Sequence, residues 1–121
     1  MINRLMIVED NLLIRMDLEE SLLESGFDIC ATASSGEEAI QKAAQSKPEL
    51  ILMDIWLKGD MTGIEAATVL REKSNIPIIF LSGNSDLKAD KLVLDVNPIH
   101  FIVKPVNTND LIEIIKKIDV E

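Results

Sequence analysis

Five short runs of continuously apolar residues, each followed by a segment of helical character, constrain this chain more than any other feature of its sequence. The runs are Leu5-Met6-Ile7-Val8, Ile29-Cys30-Ala31, Leu50-Ile51-Leu52-Met53, Ile76 to Leu81, and Phe101-Ile102-Val103. Most are apolar throughout instead of alternating, which is the pattern of a strand covered on both faces. The first helical stretch runs from about Asn11 to Ser25, with Ile14, Leu18 and Leu22 on one stripe and Gly26 placed to cap it. The second opens on Ser35-Gly36-Glu37-Glu38, which fits a capping box. A third is expected from Gly63 to about Lys73, and a last from about Thr108 to Ile118 with Leu111, Ile114, Ile115 and Ile118 facing inward. Asp86 to Asp95 has helical composition, but Val96-Asn97-Pro98 interrupts it without a glycine cap, so this fourth helix is expected to be short or mobile.

Five alternations of strand and helix imply an α/β fold: an open, doubly wound parallel sheet with helices on both faces, because strand-helix-strand crossovers are right-handed and need about this spacing. No internal repeat, low-complexity tract or linker interrupts the pattern, and 121 residues suit one domain spanning 1–121. Two strand orders are common for such sheets. Both bind their ligands beyond the carboxyl ends of the strands.

Charge and composition then remove whole classes of function. Twelve basic against 21 acidic side chains give a formal charge of -9, which repels nucleic acid phosphates. No apolar run approaches the roughly 18 residues of a membrane span, and the N-terminus enters the first strand without a leader pattern, so a cytoplasmic location is expected. The lone cysteine, Cys30, reads as a small buried residue with no disulfide partner.

The residues that follow each strand carry the chemistry. Glu9 and Asp10 follow the first, Asp54 ends the third, Ser82 follows the fourth and Lys104 the fifth, all on one edge of the sheet. Three converging carboxylates repel one another by about 4 kcal/mol per pair at roughly 4 Å and a surface-like dielectric. Something positive is therefore required among them. Mg²⁺ suits such a set, since it takes a few carboxylates, keeps several waters and completes its shell with phosphate oxygens. Lys104 adds a second positive charge. Ser82 has no base partner, because the sole histidine, His100, precedes Lys104 in the fifth strand, which argues against a serine hydrolase. Asp54 remains as the nucleophile, and carboxylates form acyl phosphates where a metal and a lysine neutralise the developing charge.

Taken together, Glu9-Asp10, Met53-Asp54, Ser82-Gly83 and Lys104-Pro105 resemble the motif set of response-regulator receiver domains of two-component signalling, over nearly the whole chain. The intervals resemble the family's too: 44 residues from Asp10 to Asp54, 28 on to Ser82 and 22 on to Lys104. The resemblance implies a flavodoxin-like sheet of order 2-1-3-4-5. It implies Asp54 as phosphoacceptor, Mg²⁺ held by Glu9, Asp10, Asp54 and the backbone carbonyl of Trp56, and Ser82 and Lys104 on the phosphoryl oxygens. Phe101 matches the family's aromatic switch position beside Ser82, while Trp56 and Asn84 match positions that tune dephosphorylation. A histidine kinase or histidine phosphotransfer protein is the implied donor, and an output domain or protein, with self-association as a further readout, the implied partner downstream. Such a protein is a switch that assists its own phosphorylation and dephosphorylation, not a turnover enzyme. The loop Ile55-Trp56-Leu57-Lys58-Gly59-Asp60-Met61-Thr62-Gly63 departs from the family by lacking the frequent Met-Pro pair.

Three other readings compete. A haloacid-dehalogenase-like aspartyl-phosphate phosphatase resembles an Asp-x-Asp pattern, and Asp54-Ile55-Trp56 lacks the second carboxylate. A phosphorylation-independent protein-interaction module is expected to have lost parts of the pocket. A nucleotide-binding domain needs a glycine-rich turn after a strand, and none is present.

Overall fold

The computed structural model describes residues 2–118. Its strands are β1 (Arg4–Val8), β2 (Asp28–Ala33), β3 (Leu50–Asp54), β4 (Ile78–Ser82) and β5 (His100–Val103). They form one parallel sheet of order β2-β1-β3-β4-β5, the order that the resemblance implies. The five helices are α1 (Leu12–Glu24), α2 (Gly36–Ser46), α3 (Gly63–Lys73), α4 (Lys91–Val96) and α5 (Thr108–Lys117). Two apolar clusters divide the helices between the faces. One packs β-strand residues such as Met6, Ile51 and Phe80 against Ala39, Ala43, Ala67, Leu70 and Val93 of α2, α3 and α4. The other packs Leu5, Leu52 and Ile79 against Leu18 and Leu22 of α1 and Leu111 and Ile115 of α5. Every residue of β3 and β4 is buried, which explains why these two runs are apolar without alternation.

The periodicity of the sequence located the elements, and local chemistry moved several of their ends. The fourth strand begins at Ile78 instead of Ile76, because Pro77 has no N–H to give the ladder; only its carbonyl takes part, accepting from the Ile51 amide at 3.0 Å. The expected capping box of α2 is split between two residues. Ser35 accepts from the Glu38 amide at 3.2 Å, but the Glu38 carboxylate takes the Ser34 amide instead. The reciprocal box lies at α3, where Thr62 and Glu65 exchange both bonds, at 2.9 and 3.1 Å. Gly26 does follow α1 with φ +96, in the left-handed region where a glycine costs least. Ile14, expected on the buried stripe of α1, is 43% exposed, so only Leu18 and Leu22 anchor that helix.

The weak fourth helix is indeed short, and it starts later than its composition suggests. Ser85–Ala89 forms a 3-10 turn, and Asp90 then caps α4 by accepting from the Leu92 amide. Asn97, with φ 58, takes the left-handed position usually filled by glycine. Arg71 of α3 fixes that end, donating through Nε to the Val96 carbonyl and through Nη1 to that of Ile76, each at 2.9 Å. Cys30, expected to be buried, is half-buried at an irregularity in the β1–β2 register, where Leu5 pairs with Ile29 and Met6 with Ala31. Burial still pushes its thiol up, so the thiolate is disfavoured.

Candidate functional site

Parallel pairing puts the carboxyl ends of β1, β3 and β4 side by side: Val8 is level with Met53, and Asp54 with Leu81. Whatever follows these residues must converge. Glu9, Asp54 and Ser82 are the buried polar side chains among the described residues, and all three lie at this edge. A carboxylate oxygen from each of Glu9, Asp10 and Asp54 falls within 4.8 Å of the others, the one such cluster among the described residues. Lys104 reaches in from the end of β5, its Nζ 3.0 Å from Glu9 Oε1 and 3.3 Å from Asp54 Oδ1.

The electrostatics follow from burial. Asp54 is pushed up to about 6, first by desolvation and then by the Glu9 charge, which Lys104 only partly offsets. Burial alone would raise Glu9 as well, but the Asn11 amide, donating to Oε2 at 3.1 Å, and the Lys104 ammonium outweigh it and hold Glu9 below the ordinary carboxylate range. For Lys104 the same contest runs the other way: desolvation favours loss of the proton, and the Glu9 hydrogen bond together with the Asp54 charge overcomes it, so the ammonium is held more firmly than usual. One ammonium thus bridges two of three clustered carboxylates. The donor set is all hard oxygen, and Asp10 is partly exposed, leaving a solvent side for retained waters. These residues fit a hard divalent cation of the Mg²⁺ type.

The remaining residues singled out in the sequence fall nearby in different settings. Ser82 is fully buried, and its Oγ accepts from the Asn84 amide at 3.1 Å, turning the hydroxyl into its own loop. Asn84 in turn caps the 3-10 turn by accepting from the Asp86 amide. Trp56, two residues past Asp54, is 59% exposed. Phe101 is half-buried in β5 with its ring centroid 6.4 Å from that of Phe80, tilted by 58°. His100 is exposed at the start of β5, away from the carboxylates, as its place in the sequence suggests. Lys104-Pro105 is a cis peptide.

Two residues of the site carried no signal that sequence reading used. Gly63 donates to the Ile55 carbonyl at 2.7 Å, and a Cβ there would fall on the Asp54 carbonyl oxygen, so α3 meets the backbone behind Asp54 at a distance only glycine permits. Arg15 of α1 donates to the Glu9 carbonyl at 2.9 Å.

Comparison with known proteins agrees with this geometry. The family model described as "Response regulator receiver domain" matches residues 5–116. The transcriptional regulatory protein PdtaR of Mycobacterium tuberculosis is 37% identical over 113 residues, covering 93% of this chain and 55% of its own length. The chain thus spans about half the length of that relative. The chemotaxis protein CheY of Bacillus subtilis is 29% identical over 120 residues, covering 97% of this chain and 98% of CheY. Among solved structures, the response regulator TrrA of Thermotoga maritima, crystallised in complex with Mg²⁺ and BeF, superposes with a TM-score of 0.86 at 34% identity, covering 95% of this chain and 97% of TrrA.

Proposed function

The chain belongs to the response-regulator receiver family, and from that premise we propose that it is a phosphorylation switch in which Asp54 takes a phosphoryl group from a histidine kinase or histidine phosphotransfer protein in the cytoplasm. The observation that carries this reading is the bridge made by Lys104 between Glu9 and Asp54 at the edge where three carboxylates meet. Asp54 is ionised at neutral pH, yet burial and the Glu9 charge leave it more basic than an exposed carboxylate and so a better nucleophile. Its oxygen forms the bond to phosphorus as the donor's nitrogen–phosphorus bond breaks, the electron pair leaving with the imidazole. Lys104, held as an ammonium, answers the charge on the phosphoryl oxygens. Glu9, Asp10 and Asp54, with the backbone carbonyl of Trp56, are the residues that would hold Mg²⁺, which when bound neutralises charge on the carboxylates and the transferring phosphoryl group. Water can later attack the phosphorus of the acyl phosphate, releasing inorganic phosphate and restoring the Asp54 carboxylate, so the switch resets without a second substrate.

Labelling from acetyl phosphate is expected only with Mg²⁺ present, because the uncompensated acidic cleft repels an anionic donor. Asp10→Asn should raise the Mg²⁺ midpoint by more than about tenfold, a loss that even an outer-shell partner commonly produces. Trp56, exposed two residues from Asp54, supplies the fluorescence signal for the titration. An unchanged midpoint in the variant would remove Asp10 from the ligand set.

Output begins from the charge of about -1.5 to -2 that a phosphoryl group adds at neutral pH. For Ser82 to answer it, the hydroxyl must leave the Asn84 amide, and its loop then vacates space beside β4 into which the half-buried Phe101 can turn. The face so changed comprises α4, β5 and α5, and it already exposes Leu92, Leu94 and Ile99 for a downstream partner or for self-association. Ser82→Ala is expected to accept phosphate, more slowly, while losing most of the shift at Phe101 and α5. Amide NMR spectra with and without beryllofluoride read this directly. Equal shifts in wild type and variant would refute the coupling and leave Phe101 as ordinary core.

A further inference from the structure

The turn that carries Asp10 is held from the helix behind it. β1 ends at Val8 and α1 begins at Leu12, so the Glu9 carbonyl belongs to neither element. Arg15, in the first turn of α1, supplies its partner through Nη1 at 2.9 Å. The other polar groups of Glu9 are also fixed: its N–H donates to the Ala33 carbonyl at 3.0 Å, Oε1 accepts from Lys104 and Oε2 from the Asn11 amide. Because the peptide is planar, holding the Glu9 carbonyl also holds the amide nitrogen and the Cα of Asp10, the atom from which its side chain springs. We propose that Arg15 is a positioning residue for the metal-binding carboxylates, fixing the Glu9–Asp10 peptide so that Asp10 stays within reach of an ion shared with Glu9 and Asp54.

The inference rests on the metal-dependent reading above, and it has an unusual property: the two roles open to Arg15 have opposite signs. A guanidinium is charged at all ordinary pH values, and as a charge alone it opposes the binding of a cation. Removing that charge would strengthen Mg²⁺ binding. Removing a positioning donor would weaken it, as loss of outer-shell partners does by about 10- to 100-fold. Arg15→Met keeps the apolar stem and deletes both charge and donor, while Arg15→Lys keeps the charge and a single-point donor.

Calorimetric titration of the metal-free chain with magnesium chloride decides between them, with thermal melts of the same samples run alongside. Positioning predicts the order wild type, then Lys, then Met, with the Met variant about tenfold weaker than wild type and all three folded. A charge acting alone predicts Met tightest. Mg²⁺ binding by Arg15→Met equal to or tighter than that of Arg15→Lys, with wild type binding normally, overturns the inference and leaves the proposed function standing. Should the Met variant melt below the titration temperature, the Lys variant decides: weaker binding than wild type supports positioning, and equal binding overturns it. No Mg²⁺ binding by wild type would overturn the proposed function and this inference together.

Discussion

Asp54→Asn is expected to abolish labelling by acetyl phosphate and, at the same time, to make the metal-free protein more stable at neutral pH. The first effect follows from loss of the carboxylate nucleophile, whose Oδ1 lies 3.3 Å from Lys104 Nζ; an undiminished phosphate-stained band would sink the assignment of Asp54. The second follows from burial. Asp54 is 4% exposed and its carboxyl is pushed up to about 6, so the folded state resists its ionisation. A carboxyl raised in the folded state lets the native protein bind more protons than the unfolded chain between about pH 4 and 6, so its contribution falls as pH rises through that window. Two pH units correspond to about 3 kcal/mol, and the partner that Lys104 loses on substitution reduces the gain to about 1–2 kcal/mol. Urea unfolding in EDTA at about pH 5 and 7 provides the check. Wild type should lose stability over this interval relative to Asp54→Asn, and parallel curves would mean that the carboxyl ionises without strain.

Gly63→Ala is the substitution expected to cost most in folding. The position has no unusual φ, so backbone freedom is not the issue. Space is the issue: an added Cβ would collide with the Asp54 carbonyl and lie 2.9 Å from both the Asp54 carbonyl carbon and Ile55 Cα, all of them backbone atoms with no rotamer to yield. Alanine gains up to about 1 kcal/mol in helix propensity, less at the first turn of α3 than within it. Overpacking costs about 1–3 kcal/mol and occasionally more, and a clash this close with rigid backbone falls at the upper end, so a net loss of about 2 kcal/mol is expected. The same shift would move Asp54, and phosphoryl uptake should fall with stability. Gly83→Ala is the control, since nothing lies within 4 Å of its added methyl; it should be neutral or slightly stabilising. Denaturant midpoints for both variants test the contrast, and a Gly63→Ala value within about 1 kcal/mol of wild type would show that α3 can retreat from β3.

What the sequence determined by itself was the alternation of five apolar runs with helical segments, and the identity of the polar residue at the end of each run. Those features are local: a run buried on both faces must be apolar throughout, and a residue just past it must emerge at the strand's carboxyl end. That is why Glu9, Asp10, Asp54, Ser82 and Lys104 meet on one edge. An apolar period leaves the ends of the elements open. Pro77 shortened β4 through a missing N–H, and Glu38 turned to Ser34 instead of Ser35, both decided by hydrogen bonds that a period of apolar residues does not encode. The pairing of Lys104 with Glu9 joins residues 95 apart that follow strands three places apart in the sheet, so no local rule anticipates it. The need for glycine at 63 and the partner that Arg15 finds in the Glu9 carbonyl come from the way each helix packs back against the end of the strand before it. Burial, finally, is a property of the assembled layers; together with the Glu9 charge it raises Asp54 above an ordinary carboxylate, while at Glu9 the Asn11 amide and Lys104 outweigh it.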